Sequence, residues 1–300
     1  MDLQENYAPV IVFCYNRPVH FNKTLDALKA NSLAQDSRLF VFSDGSRGKD
    51  DEVPVKEVRA IADRIDGFKE VKIYKSRTNK GLATSVIEGV TQIIETFGKV
   101  IVLEDDILTT PDFLDIMNRL LVVYQNRSDI FSVTGYAPPI RIPEKYTFDF
   151  YLARRASSWG WGTWADRWQL ADWGSANYQK LLNDPSIKRR FLEGGNDLLP
   201  MLHKQQKGII DSWAIRWCLC QTINDAYGVY PVKSKLSNIG TDGSGTNFTF
   251  NTETYASKRD HALLVVEPDL KPDQEVLDAF RRFYDLPFYL KMKNFFKYGI

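Results

Sequence analysis

Three consecutive carboxylates offer the clearest chemistry in this sequence. Glu104, Asp105 and Asp106 directly follow the apolar run Val100–Leu103, which is typical of a buried strand. Like charges clustered at such a place repel one another unless a cation compensates them. Mg²⁺ and Mn²⁺ prefer oxygen ligands and often take only one or two carboxylates together with substrate phosphates. The pattern therefore predicts a site for a divalent metal, and the alternative is an acidic loop that faces solvent.

Two further polar segments follow predicted strands. Arg17 comes after Pro9–Cys14, and its guanidinium is suited to pairing with phosphate oxygens. Asp44 comes after Arg38–Ser43, where its carboxylate could accept hydrogen bonds from a nucleobase or a ribose. Each signal is weak alone, because a surface arginine is common and Asp-Gly is an ordinary turn.

Alternating strand and helix patterns predict how these segments are positioned. Strand-like runs occur at Pro9–Cys14, Arg38–Ser43, Glu70–Lys75 and Lys99–Leu103, and helix-period stretches lie between them at Val19–Asn31, Asp51–Asp66 and Gly81–Phe97. This alternation predicts an α/β fold with a mostly parallel central sheet flanked by helices. Ligands of such sheets gather beyond the carboxyl ends of the strands, so we expect the three polar segments to meet at one edge.

Composition excludes several classes of function. The chain has 300 residues, 44% of them hydrophobic, and a formal net charge of +1, so no overall field attracts nucleic acid. The N-terminus has no signal-peptide pattern and no apolar run is long enough to cross a membrane, which predicts a cytoplasmic protein. Three cysteines without a C-x-x-C spacing suggest neither a disulfide framework nor a zinc site.

Taken together, the strand ends resemble the nucleotide-sugar-binding half of a glycosyltransferase with the GT-A fold, and most closely the N-acetylglucosaminyltransferase I family. The resemblance extends over about residues 9–217. The segments that carry it, in order, are Cys14–Arg17, Glu104–Asp106, Pro111–Phe113, Ser158–Trp164 and Ile210–Trp213. Ser85 stands near the position where that family uses a histidine against the base. The departures fit a bacterial relative that works in polysaccharide biosynthesis on the cytoplasmic side.

The resemblance implies a role for each matching residue. Asp106 is the expected sole protein ligand of Mn²⁺ (or Mg²⁺), and Glu104 and Asp105 are expected to contact the sugar and ribose of the donor. Arg17 and Asp44 are expected to hold the nucleotide, and Asp211 is the expected general base. Asp211 also precedes a predicted helix over Ser212–Ala226, where an N-cap is its ordinary structural role.

The aromatic block Ser157–Trp168 has two interpretations. Aromatic faces stack on the apolar faces of sugars, and glycine lets a backbone approach a ligand closely. On this basis Trp161 is a candidate for binding the donor sugar, with Gly160 and Gly162 beside it. Alternatively, Trp159, Trp161, Trp164 and Trp168 pack a core beneath an irregular loop.

The remaining segments complete the organisation. We interpret the chain as one domain, with a nucleotide-sugar-binding half to about residue 130, a more irregular acceptor half over about 131–267, and a helical tail over about 268–300. A glycine-rich loop at Asn238–Asn251 follows no clear strand. In the tail, Phe280–Ile300 mixes five basic residues with aromatics and contains one acid, Asp285. This predicts a peripheral membrane contact on the inner face, or a helix docked on the domain by its aromatic face.

The predicted function is a metal-dependent inverting glycosyltransferase. It moves a sugar, with GlcNAc as the first candidate, from a UDP-sugar to a hydroxyl of a glycan or lipid-linked acceptor. A sugar-nucleotide pyrophosphorylase is the rival enzyme, but it needs a glycine-rich basic loop where this chain has Tyr15–Pro18. The non-enzymatic rival is a glycan-binding module with a decayed site.

Overall fold

A single eight-stranded sheet forms the centre of the protein. In the computed structural model, which describes residues 7–243 and 253–298, the strands lie in the order β3-β2-β1-β4-β8-β6-β9-β7. They are β1 (Val10–Cys14), β2 (Arg38–Ser43), β3 (Glu70–Lys75), β4 (Lys99–Glu104), β6 (Ile130–Thr134), β7 (Phe150–Ala153), β8 (Trp161–Trp164) and β9 (Tyr227–Pro231). β1 to β4 are mutually parallel, whereas β8 and β7 run antiparallel to their neighbours. The predicted α/β fold with a mostly parallel sheet is confirmed.

Helices cover both faces of this sheet. The described helices are α1 (Pro18–Lys29), α2 (Lys49–Ala62), α3 (Leu82–Phe97), α4 (Phe113–Val123), α5 (Ala165–Trp168), α6 (Ala176–Asn183), α7 (Pro185–Leu192), α8 (Leu198–Gln206), α9 (Trp213–Ile223), α10 (Gln274–Tyr284) and α11 (Phe288–Tyr298), with a 3-10 turn at Ala34–Asp36. Successive residues of β1 point to opposite faces. Val10 and Val12 accordingly join the core under α1, whereas Ile11 and Phe13 join the core under α3 and α9. Burial on both faces explains why β1 is apolar throughout.

The aromatic block is more regular than the sequence suggested. Trp161–Trp164 of this block form β8, which pairs with β4 and β6 inside the main sheet. The expectation of an irregular loop is therefore wrong for these four residues. The expected ligand-facing role of the two glycines is also wrong. A Cβ on Gly162 would lie 2.8 Å from the carbonyl oxygen of Val100, and one on Gly160 would collide with Leu236. These glycines admit close packing within the protein.

A second, two-stranded sheet lies next to the carboxylates. β5 (Ile107–Thr109) pairs antiparallel with β10 (Leu236–Asn238). The glycine-rich loop therefore does follow a strand, contrary to expectation, and its residues 244–251 lie outside the described part of the chain. In this arrangement the Ile239 amide donates to the Asp106 carbonyl oxygen over 2.9 Å, which fixes the start of the loop beside the acidic cluster.

The C-terminal helices differ in how they meet the domain. α10 docks through Val276 and Phe280, which are buried, whereas none of the described side chains of α11 is buried. Across residues 7–243 and 253–298, no helix is both long and apolar enough to cross a membrane. The proposed subdivision of the chain near residue 130 stays a prediction.

Candidate active site

The ends of β1, β2 and β4 border one cleft. Phe13 of β1 is in register with Glu104 of β4, and Cys14 is in register with Ser43 of β2, so the segments that follow these residues leave the sheet side by side. The cleft has a volume of about 720 Å³. Of the predicted site residues, six line it: Arg17, Asp44, Glu104, Asp105, Asp106 and Asp211. Ser85, at the position of the family's histidine, also lines the cleft.

Arg17 forms the central electrostatic contact of this cleft. One of its guanidinium nitrogens, Nη2, forms ion pairs with both Asp105 and Asp106, and its distance to Asp106 Oδ2 is 2.7 Å. Both carboxylates are buried. β1 ends immediately before this segment, and Pro18 at the first turn of α1 fixes the direction of the helix. The local chain therefore turns Arg17 back over the end of β4.

A single guanidinium does not balance the three carboxylates. Burial, together with the negative charges of Asp106 and Asp105, raises the pKa of Glu104 to about 8. Burial also raises the pKa of Asp105 to about 6, although Arg17 acts in the opposite direction. Loss of water is the largest cause of both shifts and repulsion between the carboxylates adds to it, so a further cation would favour the charged forms.

The cluster fits a divalent cation in charge and in ligand type. Its ligands are carboxylate oxygens, which Mg²⁺ and Mn²⁺ prefer. The side-chain amide nitrogen of Asn238 lies 3.5 Å from Asp106 Oδ1, which is a long contact. Within the described residues, no group of three or more histidine, cysteine or acidic side chains is arranged to hold a metal alone. The single-carboxylate metal site that the resemblance implies stays a prediction.

Asp44 braces a turn at the edge of the cleft. Its carboxylate accepts hydrogen bonds from the backbone amides of Gly45, Lys80 and Gly81, at 2.8, 2.9 and 3.0 Å. The turn leads directly into α3, whose N-terminus faces the cleft through Gly81 and Leu82. Asp44 thus shapes the wall against which a nucleoside would lie, and its own contact with the base stays a prediction.

Asp211 does not cap the helix that follows it. That helix, α9, is capped by the Ser212 hydroxyl, which accepts from the Ile215 amide. Asp211 instead accepts a hydrogen bond from the Ala83 amide in the first turn of α3, over 3.2 Å through Oδ2. The expected capping role is therefore wrong for α9. The amide that Asp211 accepts from lies in the first turn of α3, where backbone amides have no partner within the helix. Its side chain is exposed in the cleft.

Trp161 cannot bind the donor sugar through its ring. The side chain is completely buried and stacks on Trp213 with the ring centroids 4.7 Å apart. This removes Trp161 from the predicted donor-binding set, because β8 is a central strand whose two faces are both covered. Within the aromatic block, the tryptophan that lines the cleft is Trp159, which precedes β8, and Trp213 of α9 lines the cleft as well.

Sequence reasoning missed a second group of cleft residues. Arg155 forms a two-point ion pair with Asp197, at 2.8 and 3.0 Å, and lies 4.0 Å above the centre of the Tyr284 ring. All three line the cleft, together with Tyr255. They come from three distant parts of the chain and share no motif, so only the folded structure brings them together. They line the cleft apart from the residues that follow β1, β2 and β4, and we call this group the other half of the cleft.

Comparison with known proteins gives a likeness of fold only. Neither a protein-family model nor a curated protein matches the sequence. Among solved structures, the chain is similar to the mannosyltransferase PcManGT from Pyrobaculum calidifontis in complex with GDP-Man and Mn²⁺, at 15% identity and a TM-score of 0.41, over 54% of this chain and 46% of the other. It is also similar to S. aureus TarS, at 10% identity and a TM-score of 0.42, over 76% and 36% of the two chains.

A third similar structure is an active-site mutant of LgtC, at 11% identity and a TM-score of 0.42, over 74% of this chain and 72% of that one. The matched regions span less than half of PcManGT and of TarS. Since all three TM-scores are below 0.5, these likenesses carry no argument about function. The chemistry of this protein is argued from the residues of its own cleft.

Arg17 and a metal ion should compete for the same carboxylates. We expect Arg17→Gln to tighten Mn²⁺ binding to the nucleotide-free protein by roughly tenfold, since a hydrogen bond to a charged group contributes about 1.5 kcal/mol. UDP affinity should fall at the same time, because the guanidinium is the expected phosphate partner. Calorimetric titration with Mn²⁺ and separately with UDP measures both effects.

Arg47→Gln is the matched control for this test. Arg47 lines the same cleft and carries the same charge, but its guanidinium lies 5.5 Å from the centre of the Tyr15 ring and not against the carboxylates. Mn²⁺ affinity of this variant should change little. Unchanged or weaker Mn²⁺ binding by Arg17→Gln would show that the guanidinium does not compete with the metal.

Proposed function

We propose that this chain is a metal-dependent inverting glycosyltransferase that transfers a sugar from a UDP-sugar to a hydroxyl group of a glycan or lipid-linked acceptor. One observation carries the proposal. An acidic cluster that one guanidinium only partly neutralises, that guanidinium, which is suited to phosphate, and an exposed carboxylate all border a single cleft at the carboxyl edge of the sheet. GlcNAc is the first candidate sugar, on the resemblance to the N-acetylglucosaminyltransferase I family.

The strand-end side of the cleft fits the donor. Asp106 would hold Mn²⁺ or Mg²⁺, and such an ion neutralises the charge that develops on a departing diphosphate. Arg17 is placed to exchange its carboxylate partners for phosphate oxygens as the donor enters. The turn braced by Asp44 and the first turn of α3 form the wall beside the nucleoside. Glu104 and Asp105 are the proposed contacts to the sugar and ribose.

Asp211 supplies the base in this proposal. As the acceptor oxygen bonds to the anomeric carbon, its proton passes to the Asp211 carboxylate. The bond between the anomeric carbon and the diphosphate oxygen breaks, and nucleoside diphosphate leaves with the electron pair. Attack from the face opposite the leaving group inverts the configuration at that carbon. The Ala83 amide engages one carboxylate oxygen, which orients the group and leaves the second oxygen for the proton.

The residues of the other cleft half fit an acceptor. Trp159, Tyr255 and Tyr284 offer aromatic surface, and Arg155 and Asp197 offer polar groups held in a fixed geometry. Sugars are bound by this combination of apolar rings and directed hydrogen bonds. A role in bacterial polysaccharide synthesis, which the departures from the resembled family favour, is part of the proposal.

A screen of nucleotide sugars tests the activity itself. The purified chain is incubated with Mn²⁺ and each donor in turn, and release of nucleoside diphosphate is measured with and without EDTA. We expect slow hydrolysis of a UDP-sugar that EDTA abolishes. Release of nucleoside triphosphate from a donor and pyrophosphate would indicate a pyrophosphorylase instead. The absence of turnover with every donor, despite UDP binding, would favour a binding module.

A substitution at Asp211 separates the catalytic role from a structural one. The side-chain oxygen of asparagine can still accept from the Ala83 amide, so Asp211→Asn should keep a near-normal melting temperature and UDP-sugar affinity. An amide cannot accept the proton, and the loss of a positioned base lowers the rate by about 10²–10⁴-fold. We expect a fall of that size in transfer. Transfer within a few-fold of the wild type would mean that Asp211 only braces α3.

A further inference from the structure

α11 presents an apolar face to solvent. Phe288, Tyr289 and Phe296 have exposed fractions of 76%, 69% and 78%, and Met292 is also exposed. Residues 288, 292 and 296 are spaced by four, so they lie along one side of the helix, with Tyr289 next to them. An amphipathic helix normally buries such a face against its own domain. The prediction of a docked terminal helix therefore holds for α10, whereas on α11 the side chains of Phe288, Tyr289 and Phe296 are exposed.

Lysines flank this apolar face. Lys291, Lys293 and Lys297 are all exposed, and at 3.6 residues per turn they lie on either side of the apolar stripe rather than within it. The segment contains no acidic residue after Asp285. A helix with exposed aromatic residues bordered by lysines complements the surface of an anionic lipid layer. The aromatic rings can enter the apolar acyl region, and the lysines can pair with the negatively charged headgroups.

The connection to α11 is tied to the acceptor side of the cleft. Asp285 accepts a hydrogen bond from the Asn196 amide over 3.0 Å, and the Leu286 amide donates to the Asn196 side chain over 2.7 Å. Tyr284, immediately before this pair of bonds, lines the cleft. α11 therefore begins four residues after a cleft-lining side chain, beside the proposed acceptor half.

We propose that α11 is a membrane-surface helix that binds anionic lipid through its aromatic face and flanking lysines. The bound helix holds the acceptor half of the cleft close to the lipid surface, where a lipid-linked acceptor displays its sugar. Lipid binding needs neither the metal nor the donor. Its success or failure is therefore measured separately from the proposed transferase activity.

Vesicle binding by the full-length chain tests this inference. Two kinds of vesicle are used: phosphatidylcholine alone, and phosphatidylcholine with an equal amount of phosphatidylglycerol. We expect co-sedimentation at low salt with the anionic vesicles only, and loss of binding at high salt. Replacing Lys291, Lys293 and Lys297 with Gln should weaken binding by roughly 100-fold, because each lysine near an anionic surface contributes a factor of about five.

The matched charge control replaces Lys49, Lys56 and Lys188 with Gln. These lysines are exposed on α2 and α7, so the variant loses the same charge elsewhere and should bind vesicles nearly as well as the wild type. A second pair tests the apolar face. Phe288→Ser with Phe296→Ser should also abolish binding, whereas Leu170→Ser with Leu182→Ser, at two exposed leucines remote in sequence, should not.

Several results would overturn the inference. They are no binding to anionic vesicles at low salt, equal binding to both kinds of vesicle, and equal losses in the test and control variants. A fourth is a wild-type dimer that the Phe288→Ser and Phe296→Ser variant converts to a monomer without any change in vesicle binding. That result would mean that a second copy of the chain covers the apolar face. An unchanged melting temperature in every variant would confirm that each one is folded.

Discussion

The contact between Arg17 and the carboxylates that end β4 is the interaction on which the site depends. Ion pairs with Asp105 and Asp106 make it possible for acidic side chains to be buried at the end of an apolar strand. Removing charges from water is costly unless each is paired and hydrogen-bonded. Here one guanidinium faces three carboxylates, and burial together with their mutual repulsion raises the pKa values of Glu104 and Asp105. This imbalance of charge is the basis for proposing a metal ion at the cluster.

Neighbouring backbone groups hold this cluster in place. The Thr24 hydroxyl donates to the Asp105 carbonyl oxygen over 2.9 Å, and the Ile239 amide donates to that of Asp106. A Cβ at Gly240 would collide with Asp106 Oδ2, so the loop after β10 packs directly on the carboxylate. Contacts from α1 and from the loop after β10 thus fix the acidic residues in position. In the proposed reaction, Arg17 would change partners when metal and nucleotide bind.

The sequence predicted the first half of the fold well, because its signals are local. Arg38–Ser43 and Glu70–Lys75 are strands with the predicted boundaries, since β-branched and aromatic runs between helix-period stretches identify parallel strands. β8 was missed because all four of its residues are buried, so its sequence shows no alternation of apolar and polar residues. Its pairing with β4 joins segments that are far apart in the chain, and no local pattern records such a contact.

The same contrast between local patterns and long-range packing applies to the site. Arg17 and Asp106 could be placed at the cleft because each follows a recognisable strand, and strand ends share an edge. Trp161 could not be separated from Trp159 in the sequence, because two tryptophans with one glycine between them share the same local pattern. Trp161 lies in β8, where its ring is buried, whereas Trp159 precedes the strand and lines the cleft. The bond from the Ala83 amide to Asp211 likewise depends on how α3 meets the segment before α9, which is a property of packing alone.

The central claim is that a divalent metal and a nucleotide diphosphate meet at Asp106, and crystals grown with Mn²⁺ and UDP test it most directly. An anomalous difference map recorded at the manganese absorption edge locates the ion independently of any assumed chemistry. The account predicts one strong peak within coordination distance of the Asp106 carboxylate and of the diphosphate, with Arg17 moved off Asp106. UDP bound in the cleft without a manganese peak at Asp106, or a peak at some other site, would contradict it.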